Sequence, residues 1–176
     1  GELDKVVLAR VFTRGPIDTP AVLRALAERF PTCATFAFGV GNREFIGASP
    51  ERLVTLDGRE VSTVALAGTT GTGGDETSDA ELAAEMMASP KIRAEHQFVV
   101  DDITARLATL GLVGETPVEP DVMRLARVQH LRTPITARVE RRSGGVSDMD
   151  VIRVANVLHP SPAVGGTPSD PAVEWI

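Results

Sequence analysis

The sequence predicts an α+β fold in which antiparallel sheets are layered against helices. The clearest local signal is a β-hairpin within residues 44–66, because two β-rich runs flank Asp57-Gly58, a residue pair favoured in two-residue hairpin turns. Two helix-forming runs follow it, over residues 78–88 and from Pro90 to about Leu110. The hairpin permits this fold class, and the helices supply its second layer.

Two strands and a helix are predicted before the hairpin. Residues 5–11 alternate and are rich in Val and Leu, so Lys5 is expected on the same strand face as small apolar side chains. Pro20 opens a segment whose apolar residues recur at helical spacing, and Pro31 ends it. Residues 35–40 are predicted to form the next strand.

The hairpin signal also predicts a register. With Leu56 paired to Arg59 across the turn, residues 47–51 and residues 68–70 meet at one end of the hairpin. The glycine- and threonine-rich residues 68–74 are predicted to form a loop that leads into the first of the two helices.

The second of these helices places Glu95 at the border of its inward face. Its apolar stripe consists of Ile92, Val99, Val100, Ile103 and Leu107. A glutamate beside such a stripe needs a polar or charged partner. Beyond this helix the sequence predicts irregular strands over residues 122–139, a short helix over residues 149–158 and a Pro/Gly-rich loop over residues 159–170.

Composition is that of an ordinary globular protein. Of 176 residues, 43% are hydrophobic and 24% charged, which suits one domain with a sizeable core. The net charge is −6 without a basic block, so no nucleic-acid partner is expected. No apolar run approaches the roughly 20 residues of a membrane helix, and no signal-peptide pattern is present, so we expect no membrane partner and a cytoplasmic location. Because the chain begins with Gly and ends abruptly at Trp175-Ile176, we expect an excerpt of a longer protein.

Several kinds of site are disfavoured by the motifs. The glycine-rich residues 68–74 lack the Gly-Lys-Ser/Thr ending of a phosphate loop and do not match a dinucleotide fingerprint. The three histidines, His96, His130 and His159, show no metal-ligand spacing, and no Ser or Cys lies in a nucleophile elbow. Taken alone, Lys5, Glu51 and Glu95 are ionisable residues beside apolar neighbours, and surface positions or structural ion pairs are then the favoured interpretation of each.

Six strings, taken in chain order, are more informative. They are Lys5-Val6-Val7-Leu8-Ala9-Arg10, Gly47-Ala48-Ser49-Pro50-Glu51-Arg52-Leu53, Ala65-Leu66-Ala67-Gly68-Thr69, Arg93-Ala94-Glu95-His96, Gln129-His130-Leu131, and Leu158-His159-Pro160-Ser161-Pro162-Ala163-Val164-Gly165-Gly166. Together they closely resemble the chorismate-binding enzymes, a family of isochorismate synthases, salicylate synthases, anthranilate synthase component I and aminodeoxychorismate synthase component I. The resemblance implies the fold of anthranilate synthase component I, with residues 1–176 as a partial chorismate-binding domain truncated at both ends.

The resemblance also implies the roles of three ionisable residues. Lys5 would be the general base that activates water. The ammonia-using anthranilate enzymes typically have Gln at this position, so lysine favours water as the nucleophile. Glu51 would be the general acid that protonates the departing C4 hydroxyl of chorismate, a poor leaving group. Glu95 would be a ligand of Mg²⁺, a hard cation that takes oxygen ligands and retains waters. The acid needs a raised pKa and the base a lowered one, and partial burial shifts both in the required direction.

Softer assignments follow for the substrate-binding residues. Gly68 and Thr69 would present backbone amides or a hydroxyl, His130 would lie near the ring, and Ala163 would contribute backbone to the pocket. Ala67 occupies the position where aminodeoxychorismate synthases commonly place a nucleophilic lysine, which disfavours covalent capture. The segment with Ser161 resembles the His-Pro-Thr-Pro-Ala loop of isochorismate synthases more than its salicylate synthase counterpart.

Three functions therefore stay open. The favoured one is an isochorismate synthase of menaquinone or siderophore biosynthesis, monomeric at full length. The second is a sister enzyme such as salicylate synthase, which also removes pyruvate. The third is an inactive fragment that binds chorismate weakly at most, because the resemblance places a second metal-binding glutamate and a substrate loop beyond Ile176. On the same ground we expect the isolated chain to be unstable or prone to aggregation.

Overall fold

A computed structural model describes residues 3, 5–8, 10, 12, 15–139, 148–161 and 164–175 of the chain. The chain divides into two compact units. The sheet unit comprises Gly1–Ala9 and Leu53–Ile176, and the hairpin unit comprises Arg10–Arg52. No helix of the described residues is long and apolar enough to cross a membrane.

The hairpin unit consists of one helix and two antiparallel strands: α1 (Thr19–Arg29), β2 (Ala34–Val40) and β3 (Arg43–Ser49). Asp18 caps the helix by accepting a hydrogen bond from the Ala21 amide at 3.0 Å, and Pro20 lies in its first turn. The helix packs on both strands. The predicted helix and strand are thus present, while the turn that joins β2 to β3 was not predicted.

The sheet unit is built on four antiparallel strands in the order β4-β5-β7-β6. These strands are β4 (Thr55–Asp57), β5 (Glu60–Gly71), β6 (Asp121–Arg124) and β7 (Val128–Arg138). The long central strands pair from Glu60 opposite Arg138 to Gly71 opposite Val128. One face of this ladder is buried, because alternate residues of each strand point to opposite sides of a sheet.

The predicted hairpin exists as β4–β5, but its predicted register is wrong by two residues. Asp57 pairs with Glu60, so the central turn residues are Gly58 and Arg59. Only Gly58 has a positive φ, 58°, as in a type II′ turn with glycine first, whereas the prediction assumed Asp57-Gly58 at the centre. Pairing also stops at Thr55, and Gly47 pairs with Phe36 in the hairpin unit. The predicted contact between residues 47–51 and residues 68–70 therefore does not follow from the pairing of this hairpin.

Helices cover the buried face of the sheet. They are α2 (Glu76–Ala88) and α3 (Pro90–Thr109), which pack on β5 and β7; α4 (Asp148–Leu158) packs against α3. Ser89 caps α3 through a bond from the Ile92 amide, and α3 packs along β5 with Val99, Ile103 and Leu107 buried. Residues from β5, β7 and α4 complete one apolar core. The three helices agree with the predicted segments to within two residues.

Two further differences concern short elements. Residues 68–71, predicted as loop, continue strand β5 up to Gly71. The last predicted loop contains strand β8 (Gly166–Thr167) and leads into helix α5 (Ser169–Trp175). Strand β8 pairs with β1 (Lys5–Val6), which is shorter than the predicted strand over residues 5–11, because Val7, Leu8 and Arg10 are described but lie outside any strand.

Candidate active site

Gly68 forms a bulge in the central ladder. The register between β5 and β7 shifts between Ala67 and Thr69, so Gly68 is the extra residue. Its φ is +76°, and a Cβ at this position would lie 2.5 Å from Cγ2 of Ile92 on α3. Both the backbone conformation and the close approach of the helix therefore require glycine.

The bulge brings together three of the predicted substrate-binding residues. Thr69 pairs with His130 in the ladder, and Thr69 Oγ1 lies 2.9 Å from His130 Nδ1. Desolvation lowers the pKa of the His130 ring, against the opposing effect of a hydrogen bond to the Gly68 backbone. The ring is therefore neutral near pH 7, and Gly68, Thr69 and His130 form one polar cluster.

Glu95 is half-buried on α3, at the edge of the apolar stripe where the sequence predicts it. Its carboxylate makes no salt bridge within the described residues. Alternation along β7 places His130 on the face opposite buried Leu131, whereas α3 packs on the buried face. Its neighbour His96 bonds the Ala67 carbonyl, which leads into the bulge beside the Thr69–His130 pair.

His96 is the buried polar residue of α3, with 2% of its surface exposed. Its Nδ1 lies 3.1 Å from the Ala67 carbonyl oxygen, and its Nε2 lies 2.8 Å from Thr133 Oγ1. Because a carbonyl only accepts, Nδ1 carries the proton and donates. Desolvation lowers the pKa of the ring, so it is neutral and Nε2 accepts from the Thr133 hydroxyl. No role was predicted for His96, although its place between Ile92 and Val99 in the helical stripe indicates that it faces the sheet.

Lys5 lies beside the segment that resembles the His-Pro-Thr-Pro-Ala loop. In the β1–β8 pair Lys5 is opposite Thr167, and the Val7 amide donates to the Gly165 carbonyl at 3.1 Å. Ser161, buried in this segment, accepts backbone hydrogen bonds from Val164 and Gly165, both at 2.9 Å. Two strings more than 150 residues apart are therefore adjacent through their backbones.

Glu51 lies in the hairpin unit, just after β3. The Ser49 hydroxyl bonds both the amide and the carbonyl of Glu51, at 3.2 Å and 3.0 Å. The Glu51 side chain is exposed, yet desolvation by the surrounding protein raises the pKa of its carboxyl above the usual value. This is the direction required of a general acid. Ala163, the remaining predicted site residue, lies outside the described residues.

The metal expected from the sequence would find one suitable ligand in the described structure. No group of three or more His, Cys, Asp or Glu side chains suited to a metal ion occurs among the described residues. Mg²⁺ is commonly bound by one or two carboxylates and retains several waters, so a half-buried carboxylate such as Glu95 suits it as a single ligand. Further oxygen ligands would have to come from substrate, water or other parts of the protein.

Two cavities of the sheet unit lie away from the predicted residues. One, of about 280 Å³, is lined by Arg93, His96, Gln97 and Thr133 together with residues 116–118 and Pro120. The other, of about 400 Å³, lies between α3, α4 and α5, with His159 in its lining. Neither includes Gly68, Thr69, Glu95 or His130.

The comparison with known proteins identifies the family. Residues 1–176 match the family model described as chorismate binding enzyme. The chain belongs to the chorismate-binding enzyme family. A salicylate biosynthesis isochorismate synthase from Pseudomonas aeruginosa is 44% identical over 178 residues, which cover 100% of this chain and 36% of that relative. Isochorismate synthase MenF from Bacillus subtilis is 36% identical, over 99% of this chain and 36% of the relative. The chain thus spans 36% of the length of either relative.

Solved structures of chorismate-binding enzymes share the fold. DhbC from Bacillus anthracis is 34% identical with a TM-score of 0.80, over 92% of this chain and 43% of that chain. MenF from Escherichia coli, a menaquinone-specific isochorismate synthase, is 30% identical with a TM-score of 0.75, over 93% of this chain and 36% of that chain. Anthranilate synthase component I from Streptococcus pneumoniae, at 24% identity and a TM-score of 0.65 over 89% of this chain and 33% of that chain, is similar in fold. The predicted α+β fold of antiparallel sheets and helices is confirmed.

Proposed function

We propose that the protein containing this chain is an isochorismate synthase, which converts chorismate to isochorismate with Mg²⁺. The observation that supports this most strongly is the 44% identity, along the whole chain, to an enzyme of that name. The reaction adds the hydroxyl of a water at C2 and releases the C4 hydroxyl as water, so substrate and product are isomers. It needs a base for the incoming water and an acid for the leaving hydroxyl.

Lys5 is the proposed base. It removes a proton from the water that attacks C2, which requires the neutral amine at that moment. Lysine here favours water as the nucleophile, and Ala67 leaves no amine for covalent capture of the ring. The β1–β8 pairing supports this role, because it joins the backbone of Lys5 to the segment that resembles an isochorismate synthase loop.

Glu51 is the proposed acid. It donates its proton to the C4 hydroxyl as the C–O bond breaks, and before the next turnover the carboxylate takes up a proton from solvent while the Lys5 ammonium releases one. The raised pKa of Glu51 supports the assignment, since a carboxyl that keeps its proton closer to neutral pH is a more effective donor.

The remaining residues would bind the substrate. Thr69 and neutral His130 offer a hydroxyl and an imidazole beside the Gly68 backbone, and Ala163 is proposed to contribute backbone. Glu95 is the proposed ligand of Mg²⁺, which when bound neutralises a carboxylate of the substrate. A single carboxylate is a weak site, so we propose that residues 1–176 alone are inactive and bind chorismate weakly at most.

Product analysis of the complete reading frame containing this chain tests the proposal. We expect chorismate and Mg²⁺ to yield isochorismate, and Lys5→Ala and Glu51→Gln each to lower kcat by about 10²–10⁴-fold, the usual contribution of acid–base groups. Lys91→Ala and Glu85→Gln, at exposed positions on α3 and α2, are matched controls that should retain activity.

Each other outcome has a definite meaning. Salicylate with pyruvate would reassign the protein to the salicylate synthases, the second function that the sequence leaves open. No Mg²⁺-dependent turnover of chorismate by the folded protein would overturn the proposed reaction. Full activity of Lys5→Ala would remove Lys5 from its role while leaving the reaction class in place.

A further inference from the structure

We infer that His96 is a positioning residue, which sets the location of the Glu95 carboxylate relative to the Gly68–Thr69 bulge. The inference rests on the proposed function in one respect, namely that Glu95 is a metal ligand. It concerns a residue outside the proposed acid, base and substrate-binding groups, and it follows from the hydrogen bonds of the His96 ring.

The two ring nitrogens of His96 bond to two different strands. Nδ1 donates to the carbonyl of Ala67 on β5, and Nε2 bonds Thr133 on β7. The Ala67 carbonyl belongs to the peptide bond that leads into Gly68, where the ladder is interrupted. One side chain therefore connects α3 to both central strands at the bulge.

The other buried contacts between α3 and the sheet are apolar. Besides His96, the buried residues of the helix are Val99, Val100, Ile103 and Leu107. Apolar contacts are non-directional, so they favour packing of the helix without fixing its rotation or its translation along the strands. A hydrogen bond has a restricted distance and angle, and a pair of bonds to two strands restricts both movements.

Glu95 is the next residue along the helix. A rotation or shift of α3 about the His96 contacts would therefore move Glu95 relative to the Gly68–Thr69 bulge. Residues that orient a metal ligand from outside the coordination sphere typically contribute 10–100-fold to metal affinity. Loss of the His96 bonds should have an effect of that size.

Variants of His96 separate its two bonds. In His96→Asn the amide nitrogen replaces Nδ1 and keeps the bond to Ala67, whereas in His96→Gln the amide replaces Nε2 and keeps the bond to Thr133. Thr133→Val removes the hydroxyl with little change in shape. His96→Phe removes both bonds, and if it does not fold, the three conservative variants still test the inference.

The readout is Mn²⁺ binding to the complete protein, measured by electron paramagnetic resonance without chorismate, so it does not depend on turnover. We expect His96→Phe to weaken Mn²⁺ binding by 10–100-fold, and His96→Asn, His96→Gln and Thr133→Val by smaller factors. Mg²⁺ saturation of turnover should shift in the same order. Ile103→Ala is the control for lost stability, since Ile103 is buried on the same helix two turns from Glu95; it should lower Tm without changing Mn²⁺ affinity.

Two results distinguish this inference from the proposed function. If Glu95→Gln binds Mn²⁺ as the unmodified protein does, the proposed metal ligand is wrong, and the positioning role is lost with it. If Glu95→Gln loses Mn²⁺ but the His96 variants bind normally, or Ile103→Ala weakens binding as much as they do, the positioning role is overturned and the metal ligand remains.

Discussion

The sheet unit and the hairpin unit are both built on long paired antiparallel strands, but they differ in what the strands cover. Strands β2 and β3 pair over seven consecutive positions, yet no described residue of the hairpin unit is buried. Phe38 and Phe45 are each 68% exposed there. In the sheet unit, by contrast, the paired strands β5 and β7 place a row of residues against α3, and Leu107, Leu131 and Ile135 are fully buried.

The difference shows that a ladder alone does not position side chains. Gly68 and His96 have their places determined by close contacts with another layer of the structure. Among the described residues, the hydrogen bonds of Glu51, in the hairpin unit, are to Ser49 two residues away. We therefore expect a substitution in the sheet unit to lower the free energy of unfolding far more than the same substitution in the hairpin unit.

The largest difference is expected between two glycines with similar backbones. Gly68 and Gly41 have φ of +76° and +61°, but a Cβ at Gly68 would lie 2.5 Å from Ile92, whereas at Gly41 it meets nothing within 4 Å. Gly41→Ala should cost about 1–2 kcal/mol for the left-handed conformation alone. Gly68→Ala should cost roughly 2–5 kcal/mol, because overpacking against the helix is added. The measurement is the free energy of unfolding of the complete protein in denaturant; equal losses would mean that packing at the bulge is not tight.

Much of the fold was predictable because its helices have local signals. Pro90 and the apolar spacing from Ile92 to Leu107 predicted α3 almost to its last residue. The hairpin register was not predictable in this way. Asp57-Gly58 and Gly58-Arg59 are both acceptable turns, and the difference lies in which residue takes the positive φ. Strand β8 and helix α5 escaped prediction because Pro and Gly dominate their surroundings.

The site was predictable as a set of residues but not as an arrangement. The resemblance pointed to Thr69 and His130, and the ladder places them side by side. It pointed to Lys5 and to the segment around Ser161 separately, and their adjacency depends on a two-residue strand pair. His96 is part of one of the strings that carry the resemblance, but no role was predicted for it. Its bonds to Ala67 and Thr133 depend on tertiary contacts that no local sequence pattern encodes.

A smaller difference is expected for one valine in each unit. Val61 on β5 is 1% exposed, and Val40 on β2 is 67% exposed. Val61→Ala should cost about 2 kcal/mol, because it removes roughly two buried methylene equivalents and leaves a small cavity. Val40→Ala should change the free energy of unfolding by less than about 0.5 kcal/mol. Chemical denaturation of both variants tests this, and a large loss for Val40→Ala would indicate that the hairpin unit is covered in the complete protein.

The smallest effect is the pH dependence due to histidine, which is confined to the sheet unit, since residues 10–52 contain no histidine. Desolvation lowers the pKa of His130 in the folded chain below its usual value of 6.5. Below about pH 6.5, the His130 ring takes up a proton in the unfolded chain but not in the folded chain. The stability present at neutral pH is therefore lost as the pH falls toward the pKa of the folded state. One group changes the free energy of unfolding by at most about 1.4 kcal/mol per pH unit. In His130→Gln, the free energy of unfolding should fall less between pH 7 and pH 5, because one titrating histidine has been removed. Amide hydrogen exchange of β5 and β7 over this pH range measures the change, and β2 and β3 serve as the internal control. An unchanged pH dependence in the central strands would show that His130 is as solvated in the folded protein as in the unfolded chain.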